Sequence, residues 1–260
     1  MTAGVLGTTP LTSPHVLLLV IGGVGAGFFN GVAGGGSLIS FPLLLALGYP
    51  ALTANVTNTV GIWPGYVGGA AGFRREISGQ RGHLVELAPV SVVGGIAGAI
   101  LLLTTSSAVF RSLAPWLVLG ASVLFAAQPL LKRALSGPDH APPRTRPVLL
   151  RAGTFFASVY GGYFGAGLGV MLLAILGLAL PDSILRTSGL RTALSMLVNG
   201  IAAVVFLIHG GLAWNAVGLL AAGALVGGWV GTRVARSIPA TALRIVVVAV
   251  GLATVVKLLV

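Results

Sequence analysis

The stretch GFFNGVAGGGSLISFPLLLALGYPALTANVTN, residues 27–58, places a run of three glycines and several polar side chains inside otherwise apolar sequence. Backbone groups at membrane depth must be satisfied internally, so the break Gly34-Gly35-Gly36-Ser37 is tolerated where it is buried in protein or lines a wet cavity. We interpret this break as the floor of a binding site. The alternative is that these glycines only let helices pack closely, as small residues do in membranes.

The composition is that of a polytopic membrane protein. Of 260 residues, 56% are hydrophobic and only 7% are charged, which is more apolar surface than a soluble domain of this size buries. The formal charge of +11 is scattered between apolar segments, which favours membrane topology over nucleic-acid binding. The absence of cysteine excludes disulfides and thiolate metal sites. Residues 1–14 lack the basic region of a signal peptide, so we expect the first apolar segment to be retained.

Two apolar segments, residues 38–47 and 170–180, are too short to cross a core of about 30 Å at 1.5 Å per residue. Each follows a longer apolar segment and a glycine cluster, so each pair predicts a broken helical hairpin. The longer segments are residues 15–33, 51–73, 84–103, 113–131, 148–166, 184–208, 214–230 and 243–260.

An internal repeat organises the chain. An offset of 131 residues places Gly34 on Gly165 and Gly36 on Gly167. The polar, proline-rich residues 132–147 predict a cytoplasmic linker between a first transmembrane repeat, 1–131, and a second, 148–260. The predicted fold is an all-α polytopic membrane protein with two repeats, each a broken or re-entrant helical hairpin followed by about three transmembrane helices.

The basic residues predict the orientation of these repeats. We take the loop with Arg74, Arg75 and Arg81 as cytoplasmic and let successive loops alternate between the two sides of the membrane. Twelve basic residues then lie inside and only Arg111 and Lys257 outside, with Arg191 within the membrane. The same alternation starts the first repeat outside and the second inside, and it puts both termini outside. We therefore predict inverted-topology repeats, which place a substrate site near the membrane midplane.

Arg191 lies ten residues after the turn at Pro181, roughly 15 Å deep if helical. A cation there costs several kcal/mol or more unless it is paired, and the sequence shows no carboxylate at that depth. We interpret its partner as an anionic substrate, since a planar guanidinium suits oxyanions. A structural arginine satisfied by backbone carbonyls is the alternative.

Other polar residues and the glycine breaks complete the candidate site. Asn58 reaches a similar depth from the opposite face, and helix N-termini beside the breaks add backbone donors. Asn199 is open to a second reading as a contact between helices. The predicted substrate-binding set is Asn30, Gly34, Gly35, Gly36, Ser37, Asn55, Thr57, Asn58, Thr59, Gly165, Gly167, Ser188, Arg191 and Asn199.

The sequence offers no pattern for a metal, a cofactor or an enzyme. The four histidines, His15, His83, His140 and His209, lie apart from one another and from any acidic cluster. No nucleophile, base and orienting group are recognisable together. We expect no metal, no cofactor and no enzymatic activity.

The first repeat, with its Ala-Gly-Gly-Gly stretch, the following proline and the Thr-Asn pair at Thr57-Asn58, resembles the signature of the TauE/SafE sulfite exporter family. The ending GGWVGTRVARSIPATALRIVVVAVG is similar to the C-terminal end of that family. The resemblance implies a bacterial inner-membrane carrier of sulfite, organosulfonates or related sulfur oxyanions. Many members have an acidic residue at the position of Asn30 and a lysine at that of Thr59, so charge-dependent roles at those positions do not carry over.

The leading hypothesis is an exporter or uniporter in which Arg191 and Asn58 hold the anion while the repeats rock around it. The missing midplane carboxylate argues against a built-in proton relay. Its expected partners are a small anionic substrate and the lipid bilayer, with no nucleic acid, and the oligomeric state is left open. The alternative hypothesis is a membrane scaffold or accessory subunit that retains the fold and transports nothing.

Overall fold

A computed structural model describes residues 12–32, 34–135, 146–234 and 240–259, and the regular structure in these ranges is entirely helical. The predicted all-α class is confirmed. The helices are α1 (Ser13–Val32), α2 (Ser37–Ala46), α3 (Ala51–Gly72), α4 (Arg74–Ser78), α5 (Arg81–Thr104), α6 (Ser107–Leu135), α7 (Pro147–Tyr163), α8 (Leu168–Ala179), α9 (Ile184–His209), α10 (Trp214–Val234) and α11 (Ala240–Leu259).

Five helices in the described ranges are long and apolar enough to cross a membrane: α1, α5, α6, α9 and α10. The short segments are confirmed as helices of ten and twelve residues, α2 and α8. The basic loop after α3 contains the short helix α4, which the sequence did not predict. Residues 1–11 and the linker residues 136–145 lie outside the described residues, and α6 extends four residues into the predicted linker.

The chain ends α1 and α7 in the same way. The amide of Gly34 donates to the Phe29 carbonyl at 2.9 Å, and the amide of Gly165 donates to the Tyr160 carbonyl at 3.3 Å. Both pairs are five residues apart, and they are related by the offset of 131 residues. Gly34 has φ +79° and Gly165 has φ +80°, a backbone region that favours glycine. The repeat is therefore also one of backbone geometry at Gly34 and Gly165, whereas Gly36, with φ −58°, and Gly167, with φ +79°, differ.

Glycines bring the helices of the two halves into close contact. On α1, a methyl group at Gly31 would lie 3.1 Å from the Gly228 carbonyl oxygen of α10. On α5, a methyl group at Gly94 would lie 2.8 Å from the Phe155 carbonyl oxygen of α7. Such small residues let helix backbones approach closely in a membrane, where the hydrophobic effect does not drive helices together.

Charged residues gather where α3 ends and α9 begins. The Arg186 guanidinium, in the first turn of α9, donates to the Gly79 carbonyl at 2.8 Å, and the side chain of Gln80 donates to the Arg186 carbonyl. At the start of α5, Glu86 pairs with Arg151 of α7 at 2.9 Å. The beginnings of α5, α7 and α9 are held together by these contacts.

Candidate functional site

The first break, Gly34 to Gly36, is held by a side chain of α1. Asn30 is 3% exposed, and its Oδ1 accepts a hydrogen bond from the Gly36 amide at 2.8 Å. Gly36 precedes α2, whose first amides have no partner within the helix. Asn30 therefore satisfies one backbone donor at the start of α2 and fixes the shape of the break.

Arg191 of α9 reaches the point where the two halves meet. A methyl group on Gly34 would lie 2.6 Å from Arg191 Nη1, and one on Gly169 would lie 3.1 Å from the same atom. A methyl group on Gly34 would also lie 2.8 Å from the Gly169 Cα. The first break therefore contacts the first turn of α8, which follows the second break (Gly165 to Gly167). Both also contact the guanidinium. Only glycine at positions 34 and 169 leaves room for these contacts.

The guanidinium is buried and only partly satisfied. Arg191 is 3% exposed. Within the described part of the chain, neither its Nε nor its Nη1 has a hydrogen-bond partner. A buried donor left without an acceptor costs about 1 to 3 kcal/mol, and more when it is charged. Nε and Nη1 could therefore donate to an acceptor that a ligand supplies.

Tyr66 lies in one cluster of buried side chains with Asn30 and Arg191, and it was not predicted from the sequence. Its side chain is 3% exposed and interacts with those of Ser37, Asn30 and Asn199, as well as with the charge of Arg191. Tyr66 follows Asn58 by eight residues, two helical turns, so both lie on one face of α3. That spacing was the signal available, because it places a polar aromatic side chain on the same face of α3 as Asn58.

Ser40 was also missed, and it joins α2 to α3. Its hydroxyl donates to Asn58 Oδ1, and it also lies 3.3 Å from the Gly36 carbonyl oxygen. Ser40 and Asn58 are both buried. Asn58 therefore lies next to the first break. Its Oδ1 already accepts a hydrogen bond from the Ser40 hydroxyl.

Of the other three predicted residues of α3, two bond to other parts of the protein and one bonds within the helix. Asn55 Nδ2 donates to the Tyr163 carbonyl at the end of α7 at 2.9 Å, and Thr57 Oγ1 accepts from the Ala213 amide before α10 at 3.0 Å. Thr59 donates to the Asn55 carbonyl at 3.1 Å. None of these three bonds involves Arg191 or the first break.

The second break, Gly165 to Gly167, is braced from α7 and approached from α9. The Tyr160 hydroxyl donates to the Ala166 carbonyl at 2.7 Å. Asn199 Oδ1 lies 3.3 Å from the position of a methyl group on Gly165, while its Nδ2 donates to the Ser195 carbonyl at 2.9 Å. Of the other predicted residues, Ser188 is half-buried, and Gly35 packs on the Phe125 ring.

The comparisons with known proteins agree with one another. The family model described as "Sulfite exporter TauE/SafE" matches residues 19–258, nearly the whole chain. The chain belongs to the TauE/SafE family. A Sinorhizobium relative named "Probable membrane transporter protein ORF9" is 27% identical over 241 residues, which cover 90% of this chain and 88% of the relative. A Haemophilus influenzae relative named "Probable membrane transporter protein" is 27% identical over 237 residues, 89% of each chain.

"Probable membrane transporter protein YfcA" of Escherichia coli K12 is 25% identical over 215 residues, 82% of this chain and 77% of the relative. No solved structure matches the chain. The resemblance to TauE/SafE proteins is therefore confirmed. As a member of this family the chain is a multi-pass membrane transporter and not an enzyme. Among the described residues of this TauE/SafE protein, no group of three His, Asp or Glu side chains is arranged to hold a metal ion.

Proposed function

We propose that this transporter moves small anions, namely sulfite, organosulfonates or related sulfur oxyanions, through a site between the two breaks. One observation carries the proposal: the buried guanidinium of Arg191 lies against both halves and has two donor atoms without an acceptor. A guanidinium presents donors in the planar arrangement that suits an oxyanion. The sulfur chemistry comes from the description of the family.

The charges of the surrounding residues favour an anion as the missing partner. The described acidic residues are Glu76, Glu86 and Asp182, and none of them forms an ion pair with Arg191. Glu86 and Asp182 are already paired, with Arg151 at 2.9 Å and with Arg186 at 3.3 Å. A substrate that supplies a negative charge to Arg191 offsets the cost of burying the guanidinium.

Backbone geometry at the breaks favours the same ligand charge. α2 begins at Ser37 and α8 begins at Leu168, each directly after a break. A helix N-terminus carries unpaired amides and a partial positive charge, which stabilise an anion nearby. The two helices thus add to the positive potential around Arg191.

We infer that the two halves are inverted repeats that move by alternating access. The Arg186 contacts support the inversion: α9 begins beside Gly79, just after α3 and α4 have ended, so the equivalent helices α3 and α9 run in opposite directions. Inverted repeats with discontinuous helices place their substrate at the repeat interface. Arg191, Asn30 and Tyr66 are each 3% exposed, which corresponds to a site closed on both sides.

The proposed location is the bacterial inner membrane, with the basic loops in the cytoplasm and both termini outside. The contacts among the starts of α5, α7 and α9 support this orientation, because they place several of these basic residues at one end of the protein. An inside-negative potential then drives a bound anion outward by about 2.3 kcal/mol per charge per 100 mV. The transporter is accordingly proposed to be an exporter or uniporter that needs no proton.

The test is sulfite efflux from proteoliposomes that contain the full-length chain. We expect efflux for the native chain and a loss of at least about tenfold for Arg191→Gln, because a charged hydrogen bond contributes about 1.5 to 3 kcal/mol. The matched control is Arg111→Gln, which removes an exposed arginine at the start of α6 and is expected to leave efflux unchanged. Flux no greater than in empty liposomes for sulfite and for organosulfonates contradicts the proposal and favours the scaffold hypothesis.

A further inference from the structure

Three of the buried side-chain atoms without a hydrogen-bond partner are donors on Arg191 and Asn30. They are Nε and Nη1 of Arg191 and Nδ2 of Asn30, and within the described residues none of the three has a partner. Both side chains are 97% buried. Tyr66 interacts with both Asn30 and Arg191, which places these donors in one cluster of buried side chains.

The orientation of the Asn30 amide follows from its backbone contact. Gly36 contributes a backbone N–H, which only an acceptor can receive, so Oδ1 of Asn30 points to Gly36 at 2.8 Å. Nδ2 is then the atom left for other contacts, and it can only donate. The carbonyl oxygen that would bind a donor from a ligand is already occupied.

Several polar side chains of this cluster already have partners. The side chains of Ser37 and Asn199 interact with Tyr66, and Asn58 Oδ1 accepts from Ser40. No described carboxylate lies in the cluster. A ligand that brings an ammonium therefore finds no described carboxylate to pair with there, and it is also repelled by the guanidinium.

We propose that the site accepts only oxyanions without a hydrogen-bond donor of their own, and that it rejects zwitterions with an ammonium group. This inference rests on the proposed function, because it specifies which anions the same site binds. Asn30 determines the specificity of this site. A carboxylate at that position would accept a hydrogen bond from an ammonium group, whereas the amide nitrogen of Asn30 can only donate.

Two pairs of probes, each with and without an ammonium group, test the inference on the purified full-length chain. Ethanesulfonate and taurine differ only in the ammonium of taurine, and propionate and β-alanine differ in the same way. We expect ethanesulfonate to stabilise the protein in thermal unfolding and to bind at least about tenfold more tightly than taurine, by the cost of an unsatisfied buried charge. Propionate is likewise expected to bind more tightly than β-alanine.

The variant Asn30→Asp changes the donor into an acceptor and still allows an oxygen to bind the Gly36 amide. We expect it to weaken ethanesulfonate binding and to reduce or reverse the preference over taurine. Asn215→Asp is the matched control, because the side chain of Asn215 accepts the Ala216 amide at 2.9 Å in the first turn of α10, where a carboxylate also fits. That control is expected to leave the preference unchanged.

The possible results separate the inference from the function on which it rests. Equal binding of ethanesulfonate and taurine to the native chain overturns the inference and leaves an anion transporter. An unchanged preference in a folded Asn30→Asp variant overturns the role of Asn30. Binding of none of the four probes, nor of sulfite, overturns the proposed anion site itself, and the inference fails with it.

Discussion

Substituting alanine for Gly34 tests the contact between the first break and Arg191. Gly34 has φ +79°, and an added Cβ would lie 2.6 Å from Arg191 Nη1 and 2.8 Å from the Gly169 Cα. The left-handed backbone costs an alanine about 1 to 2 kcal/mol, and overpacking adds about 1 to 3 kcal/mol. We expect Gly34→Ala to be destabilised by about 2 to 5 kcal/mol in total.

A second glycine separates the steric effect from the backbone effect. Gly48, between α2 and α3, has φ +86°, and no described atom lies within 4 Å of a Cβ added to it. Gly48→Ala therefore carries the backbone cost of about 1 to 2 kcal/mol without the clash. The difference in stability between the two variants therefore measures the steric cost of the contacts at Arg191 and Gly169.

The assay is thermal unfolding of both variants in detergent, with and without sulfite. We expect Gly48→Ala to retain the sulfite affinity of the native chain. Gly34→Ala displaces the guanidinium and is expected to weaken sulfite binding about 10- to 100-fold, which corresponds to one charged hydrogen bond. Equal melting temperatures and equal sulfite affinities for the two variants would refute the reasoning, because the clash at Arg191 would then have no effect.

Three further predictions concern the cluster, the packing of the helices and the driving force. Tyr66→Phe removes a hydroxyl beside Arg191 and is expected to weaken sulfite binding about 2- to 10-fold, whereas Tyr49→Phe removes a buried hydroxyl without a described partner and is expected to change nothing in the same titration. Gly27→Ala overpacks α1 against Ala224 and is expected to lower the melting temperature, whereas Gly25→Ala, with its nearest neighbour at 3.8 Å, is expected to be tolerated; equal melting temperatures would contradict this packing. Sulfite efflux from proteoliposomes is expected to follow the membrane potential and to persist when the proton gradient is collapsed, and a strict proton requirement would exclude a uniporter.

Much of the fold was predictable because a bilayer restricts the solutions. Segments of about 20 apolar residues become helices in lipid, and the two shorter segments were recognised by their length alone. The offset between Gly34 and Gly165 predicted a repeat, and the same left-handed backbone at both positions confirms that the glycines share a local structure. The inverted orientation of the repeats stays a prediction.

The composition of the site was predictable only in part. The depth of Arg191 followed from counting residues after a turn, because a helix has a fixed rise. Tyr66 had a local signal in its spacing from Asn58, but its partners and that of Ser40 come from other helices, whose packing no local pattern determines. Thr57 was grouped with the site by its neighbour Asn58, yet its hydroxyl bonds to Ala213, 156 residues away. The binding roles of these residues stay predictions.

The most direct measurement is the thermal stability of the purified native chain and of Arg191→Ala against sulfite, sulfate, thiosulfate, sulfoacetate, acetate and chloride. Arg111→Ala, which removes an exposed arginine, is the control. The account predicts that a sulfur oxyanion stabilises the native chain and the control, and that this stabilisation disappears in Arg191→Ala. Stabilisation that persists in Arg191→Ala, or no response to any anion in well-folded native protein, would contradict an anion site at Arg191.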